Sequence, residues 1–204
     1  MILYLFATSL DEVVLLLLAL LAGLPLPLAA VQILWINLVT EGTLTVNLVM
    51  DPAEGDEMRR APLPRDDPLL DRAMLGRVLL MAGVAVTVAF GWFAWRVGAG
   101  VGLDQVRTET FTLVAMCQWF NVLNCRSATR SALRPGGFGN PWLAGGLALS
   151  VLLQALVVYA PVMNDLFRTV PLPLTTLVPL LCAASAVLWA EETRKFIARR
   201  LPRG

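Results

Sequence analysis

Histidine is absent from these 204 residues. Imidazole acid–base catalysis and imidazole metal ligation are therefore excluded. Charge is scarce as well. Asp, Glu, Lys and Arg make up 15% of the chain and nearly cancel, at a net charge of +1. No nucleic-acid partner is expected of such a sequence. Cysteine occurs three times, as Cys117, Cys125 and Cys182. All three sit in or beside apolar runs without metal-ligand spacing, so they read as small packing residues. The apolar–polar alternation of a membrane β-barrel is missing. The first apolar run lacks the basic leader of a secretory signal and contains Asp11 and Glu12, which argues against a cleaved segment.

Apolar residues are what the chain has in abundance, at 57%, with a mean hydropathy of +0.70. They gather in six runs, approximately 3–24, 29–49, 74–96, 107–125, 142–160 and 173–190. Each is close to the roughly 20 helical residues needed to cross a bilayer core. Lipid offers no partner for backbone polar groups, so helices are the spanning form. The expected fold class is an all-α polytopic membrane bundle of six transmembrane helices, one domain over 1–204. Its loops are expected at 50–73 and 126–141, with a tail at 191–204. The run Gly23-Leu24-Pro25-Leu26-Pro27-Leu28 predicts a tight turn joining the first two helices. Gly136-Gly137-Phe138-Gly139 reads as a flexible turn, since no strand precedes it and no Lys-Ser/Thr follows.

Basic residues divide by side. Only Arg96, Arg107 and Arg168 fall in the loops of one side; every other Lys and Arg falls on the opposite side. Basic loops stay cytoplasmic, which places both termini in the cytoplasm. The basic tail is expected at the anionic inner surface.

A carboxylate at the bilayer centre costs about 2.5–3.5 kcal/mol on insertion scales, and such residues mark ion or proton paths. Glu12 in the first run and Glu41 in the second are the best placed. Asn37, Thr40 and Glu41 are spaced i, i+3 and i+4, so a helix would present them on one face. They offer an amide oxygen, a hydroxyl and a carboxylate, a hard-oxygen set suited to Ca²⁺, Mn²⁺ or Na⁺. Ser9 and Glu12 are likewise i, i+3. The short hairpin would let the two faces meet. Gly42 and its β-branched neighbours predict a locally unwound turn that frees carbonyls. The competing reading is that these groups only bond helix to helix. That reading is favoured for a third stripe, Gln118, Asn121 and Asn124. Asp11 fits either the cation path or a hydrated entrance.

Four segments then resemble one known family in order and spacing. QILWINLVTEG followed by DPAEGDEMRR resembles the sixth membrane helix and following loop of calcium-pump-type P-type ATPases. YLFATSLDEVVLLLLALLAGLPLPLAAVQ resembles the fifth helix and its hairpin. FNVLNCRS resembles part of the eighth, and EETRKFIARR the end of the tenth. The resemblance implies that Glu12, Asn37, Thr40 and Glu41 are cation ligands, with Glu41 standing for an aspartate. Ser9 stands where calcium pumps often carry asparagine, and Ala128 about where the muscle-type pump carries an eighth-helix glutamate. Both departures weaken the same one of two sites, so one cation site is expected. The D-K-T-G phosphorylation motif is not in the chain, nor is the G-D-G-x-N-D hinge. The resemblance thus covers only a C-terminal membrane portion, and the chain reads as a fragment, a truncated gene or a separately encoded half. The implied cargo is Ca²⁺ first, with Mn²⁺ or Na⁺ as alternatives. ATP and Mg²⁺ would enter only through upstream ATPase domains, and the chain alone is expected not to be catalytic. The implied setting is a bacterial plasma membrane. A passive channel or carrier, and a non-transporting remnant, are the alternatives.

Overall fold

The computed structural model describes residues 1–50, 71–127, 131 and 140–200. Among these residues every regular element is helical. The elements are α1 (Ile2–Leu21), α2 (Ala30–Trp35), a π-helical turn (Ile36–Glu41), α3 (Gly42–Val49), α4 (Arg72–Gly98), α5 (Leu103–Cys125), α6 (Pro141–Tyr159), α7 (Pro161–Phe167) and α8 (Leu174–Arg200). α1, α4, α6 and α8 are each long and apolar enough to cross a membrane. The chain is an integral membrane protein built as a helical bundle.

Caps and turns set the helix boundaries. The Asp71 carboxylate accepts from Met74 N at 2.6 Å and opens α4. The Asn140 side chain accepts from Trp142 N and Leu143 N at 2.9 and 3.1 Å, with Pro141 in the first turn of α6. Both are N-cap arrangements that satisfy otherwise orphaned amides. Gly23 adopts φ +67 after α1, a left-handed conformation open to glycine without penalty, and Leu24 N reaches back to Ala19 O. The proline-containing turn predicted at 23–28 is therefore present. α7 was not foreseen; it links α6 to α8, and Gln32 Nε2 of α2 donates to Phe167 O at its end, at 3.1 Å.

α5 is the central helix. It packs on α8, α4, α1, α3 and α6, and its residues from Thr108 to Gln118 are all buried. That explains why it is too polar to count as a lipid-facing span: its neighbours, not lipid, cover it. α1 buries Tyr4, Ala7, Thr8, Asp11, Glu12, Leu15 and Ala19, a stripe of helical period. α4 answers with Ala82, Ala85 and Ala89, whose small side chains let the helix backbones approach.

Each end of the bundle is tied by a buried glutamate. At the end with the Gly23 turn, Glu109 of α5 accepts from Arg96 Nε and Nη2 (both 2.7 Å), Trp92 Nε1 (2.9 Å) and Gln105 Nε2 (3.0 Å). At the opposite end Glu191 of α8 accepts from Arg77 Nε at 3.0 Å and from Arg194 Nε and Nη2 at 2.7 and 2.8 Å. Lys195, fully buried, donates to Asn124 O at the end of α5 and to Glu192, both at 3.3 Å. The segment expected to be a surface tail from 191 is thus, through Arg200, the last turns of α8. It stays docked because each buried charge has partners on α4 or α5. Residues 51–70 of the expected loop at 50–73 and most of the loop at 126–141 lie outside the described residues, as do Ala128 and residues 201–204.

Glu109→Ala would leave the Arg96 guanidinium without its carboxylate and the Trp92 N–H without its acceptor. The expected loss is about 3 kcal/mol, the low end for breaking a buried ion pair, because the Arg96 side chain is 20% exposed. The unfolding midpoint in a detergent–SDS titration measures it.

Candidate cation site

The acidic residues singled out in the sequence lie where α1, the π turn and α5 meet. Glu12, 4% exposed, is held from two sides. Its Oε2 accepts from Asn37 Nδ2 at 2.7 Å, and its Oε1 from Gln118 Nε2 at 3.3 Å. Asn37 Nδ2 also donates to Ile33 O at 2.9 Å, which fixes the amide so that its carbonyl oxygen points elsewhere. Glu41 is 4% exposed and Thr40 2% exposed. One Glu41 oxygen, Oε1, has no hydrogen-bond partner among the described residues.

Local chain geometry makes this possible. Asn37, Thr40 and Glu41 occupy a π-helical turn rather than an unwound one. A π turn widens the ring of backbone hydrogen bonds and is a frequent feature of functional sites. It changes the phase between its residues, so the three do not share one face. Asn37 stands on the exposed side and reaches in to Glu12, while Thr40 and Glu41 are buried. On α1 the phase also differs from the i, i+3 expectation. Ser9 is exposed, and Thr8 is the buried hydroxyl, donating to Tyr4 O at 3.0 Å.

Gln118 is the residue that sequence reasoning undervalued. It was read with Asn121 and Asn124 as packing glue. Asn124 fits that reading, since its Nδ2 donates to Val187 O of α8 at 3.0 Å. Gln118 instead contacts Glu12, and its own Oε1 is unpartnered, as are both polar atoms of Asn121. The signal available was its position mid-run in a helix with too many polar residues to face lipid. Buried orphans of this kind need a ligand, a proton or water as partner.

The donors gathered here are oxygens: two carboxylates, a hydroxyl and the Gln118 amide oxygen. That chemistry suits hard cations. Among the described residues, however, no three His, Cys, Asp or Glu side chains are close enough to hold an ion by themselves. Amide, hydroxyl, backbone or additional oxygens would have to complete any coordination shell.

A membrane bundle with a buried carboxylate held by amides at a π turn belongs to the class of ion-handling integral membrane proteins. Residues 25–197 match the family described as cation transporting ATPase, C-terminus, and the chain belongs to that family. It is 35% identical over 192 residues to a probable cation-transporting ATPase F of Mycobacterium bovis, covering 94% of this chain and 21% of that protein. It is 34% identical over 202 residues to mouse calcium-transporting ATPase type 2C member 2, covering 96% of this chain and 21% of that protein. A calcium-transporting ATPase of Bacillus subtilis is 36% identical over 170 residues, 82% of this chain and 19% of that protein. The chain therefore spans about a fifth of the length of these relatives.

The geometry separates a buried amide that holds Glu12 from an exposed hydroxyl on the same helix as Glu12. Gln118→Leu removes an amide from a buried carboxylate and is expected to cost about 1–2 kcal/mol of stability. Ser9→Ala at an exposed position should change stability by less than about 0.5 kcal/mol. Paired SDS-unfolding titrations measure both.

Proposed function

We propose that this chain is the cation-binding and translocating membrane portion of an ATP-driven P-type pump. Glu12 and Glu41 supply the charge, Thr40 and Gln118 supply neutral oxygens, Asn37 holds Glu12 through its amide nitrogen, and Ser9 enters from the exposed side. The observation that carries the reading is the Glu12 carboxylate, held by amides of two other elements beside a buried Glu41 oxygen with no partner. A helix bundle needs no such arrangement for packing; a dehydrated cation does.

Ca²⁺ is the favoured cargo. The oxygen donors suit it, and several relatives carry calcium in their names. Mn²⁺ and Na⁺ use similar oxygens and are the competitors. Asn37 and Ser9 lie exposed on an otherwise apolar membrane surface. That placement supports a further membrane segment completing the shell there, as the greater length of the relatives allows. Phosphoryl transfer from ATP would belong to that remainder, because the chain carries no D-K-T-G motif. Metal binding to carboxylates releases any protons they hold, so proton movement opposite to the cation follows from the site's chemistry. The reading includes six membrane crossings with both termini cytoplasmic, supported by the clustering of Lys and Arg at one end.

Equilibrium dialysis of radioactive Ca²⁺ against the purified chain in lipid nanodiscs tests the binding step. ATP-driven uptake into vesicles tests it once the chain is joined to the upstream portion its relatives carry. Glu12→Gln and Glu41→Gln are each expected to weaken binding at least tenfold, about 1.4 kcal/mol. Mn²⁺ and Na⁺ added as competitors rank the ions. Undiminished Ca²⁺ binding in the doubly substituted chain would overturn the reading.

A further inference from the structure

α8 is longer than a membrane crossing requires. Its 27 residues rise roughly 40 Å, against a bilayer core about 30 Å thick. From Leu174 to Ala190 it carries no charged side chain; from Glu191 to Arg200 it carries six. The surplus length is therefore the charged end, opposite the Gly23 turn, at the depth of the lipid headgroups.

Most of that charge is consumed inside the protein. Arg77 and Arg194 share Glu191, and Lys195 Nζ reaches Glu192 and Asn124 O. The exposed Asp71 at this end is engaged as the N-cap of α4. Arg199 and Arg200 differ. Both are exposed, and among the described residues neither has an ion-pair partner. Arg199 spends only its Nε, on Lys195 O at 3.2 Å, which leaves its two terminal nitrogens available. The Arg200 guanidinium lies over the Phe196 ring, 4.2 Å from the centroid. A stacked guanidinium keeps its N–H donors at its edge, where the planar fork matches phosphate oxygens.

The face beside these arginines is apolar. Trp189, Phe196 and Ile197 are 57, 49 and 52% exposed. Trp189, Phe196 and Arg200 follow at i, i+7 and i+11, so they form one stripe of the helix. Helical side chains lean toward the N-terminus. Arg200 accordingly folds back along the stripe onto Phe196, about 10 Å of rise from Trp189. A small soluble anion would satisfy the arginines and leave the aromatic stripe in water. An amphiphile satisfies both, with a phosphate on the arginines and an acyl chain along Trp189. A zwitterionic lipid brings its own ammonium, which opposes Arg199 and Arg200. Basic residues just beyond a membrane helix favour anionic lipid for this reason.

We propose that the outer face of the last turns of α8 holds an anionic phospholipid, its phosphate on Arg199 and Arg200 and an acyl chain along Trp189. The site rests only on the chain being a membrane bundle; it uses neither Glu12 nor Glu41.

The test places the purified chain in phosphatidylcholine nanodiscs containing a fixed fraction of brominated lipid, either phosphatidylglycerol or phosphatidylcholine. Trp189 emission is the difference between the chain and its Trp189→Phe variant. Brominated phosphatidylglycerol is expected to quench it at least about twofold more strongly. Arg199→Gln combined with Arg200→Gln should abolish the preference, while Arg199→Lys combined with Arg200→Lys should retain most of it. Both positions are exposed, so helix content by circular dichroism should stay constant. Arg72→Gln, at an exposed arginine of α4 at the same end, should leave the preference intact. So should Glu12→Gln even where it abolishes Ca²⁺ binding, which separates the fate of this site from that of the transport site. Equal quenching by the two lipids, a preference that survives both glutamines, its loss in Arg72→Gln, or displacement by inorganic phosphate at the same concentration would each overturn the proposal. Shielding of Trp189 from both lipids, the result expected of a second copy seated on this face, would overturn it too.

Discussion

A carboxylate inside a membrane bundle must be given partners, and the hold on Glu12 is the interaction around which this chain is organised. Water is not there to solvate it, so the structure brings two amides from elsewhere in the chain. Asn37 comes from the π turn, at the exposed margin of the bundle. Gln118 comes from the central helix. Both approaches demand that the π turn and α5 lie close to α1, on the side of α1 away from its alanine-lined contact with α4. The π turn earns its place in the same way: it lets one short segment send Asn37 outward and around to Glu12 while burying Thr40 and Glu41.

The other buried glutamates show what a structural carboxylate looks like in this protein. Glu109 has four close donors, and Glu191 is gripped by two arginines. Each lies near an end of the bundle and ties helices together. Glu41 and Asp11 lie between those ends and leave oxygens unmatched. The contrast separates acids that staple from acids that the described residues leave partly unpartnered. Rigid ends around an incompletely satisfied middle are what a binding site inside a bundle requires.

Much of this was readable in advance. The six apolar runs each coincide with helix, because spanning length and hydropathy are properties of the local sequence. The importance of Glu12 and Glu41 was readable because charge inside an apolar run is costly wherever its side chain points. The Asn37 contact to Glu12 was anticipated from the short hairpin. Less accessible were the exposure of Ser9, the burial of Thr8 and the shift of Gln118 from packing residue to Glu12 partner. Helical spacing defines which residues share a face, but not which face meets a neighbour.

The amino-acid order alone determined an all-helical membrane bundle, its helix boundaries to within a few residues apart from the C-terminal end of α8, and the acids that had to be accounted for. Those follow from the free energy of apolar segments and buried charge, which each segment carries by itself. Tertiary structure decided the phase of each helix, the π turn and the docking of the last turns of α8. These depend on contacts between residues far apart in the chain, for example 106 positions between Glu12 and Gln118. No local pattern encodes the distance or rotation at which two helices meet.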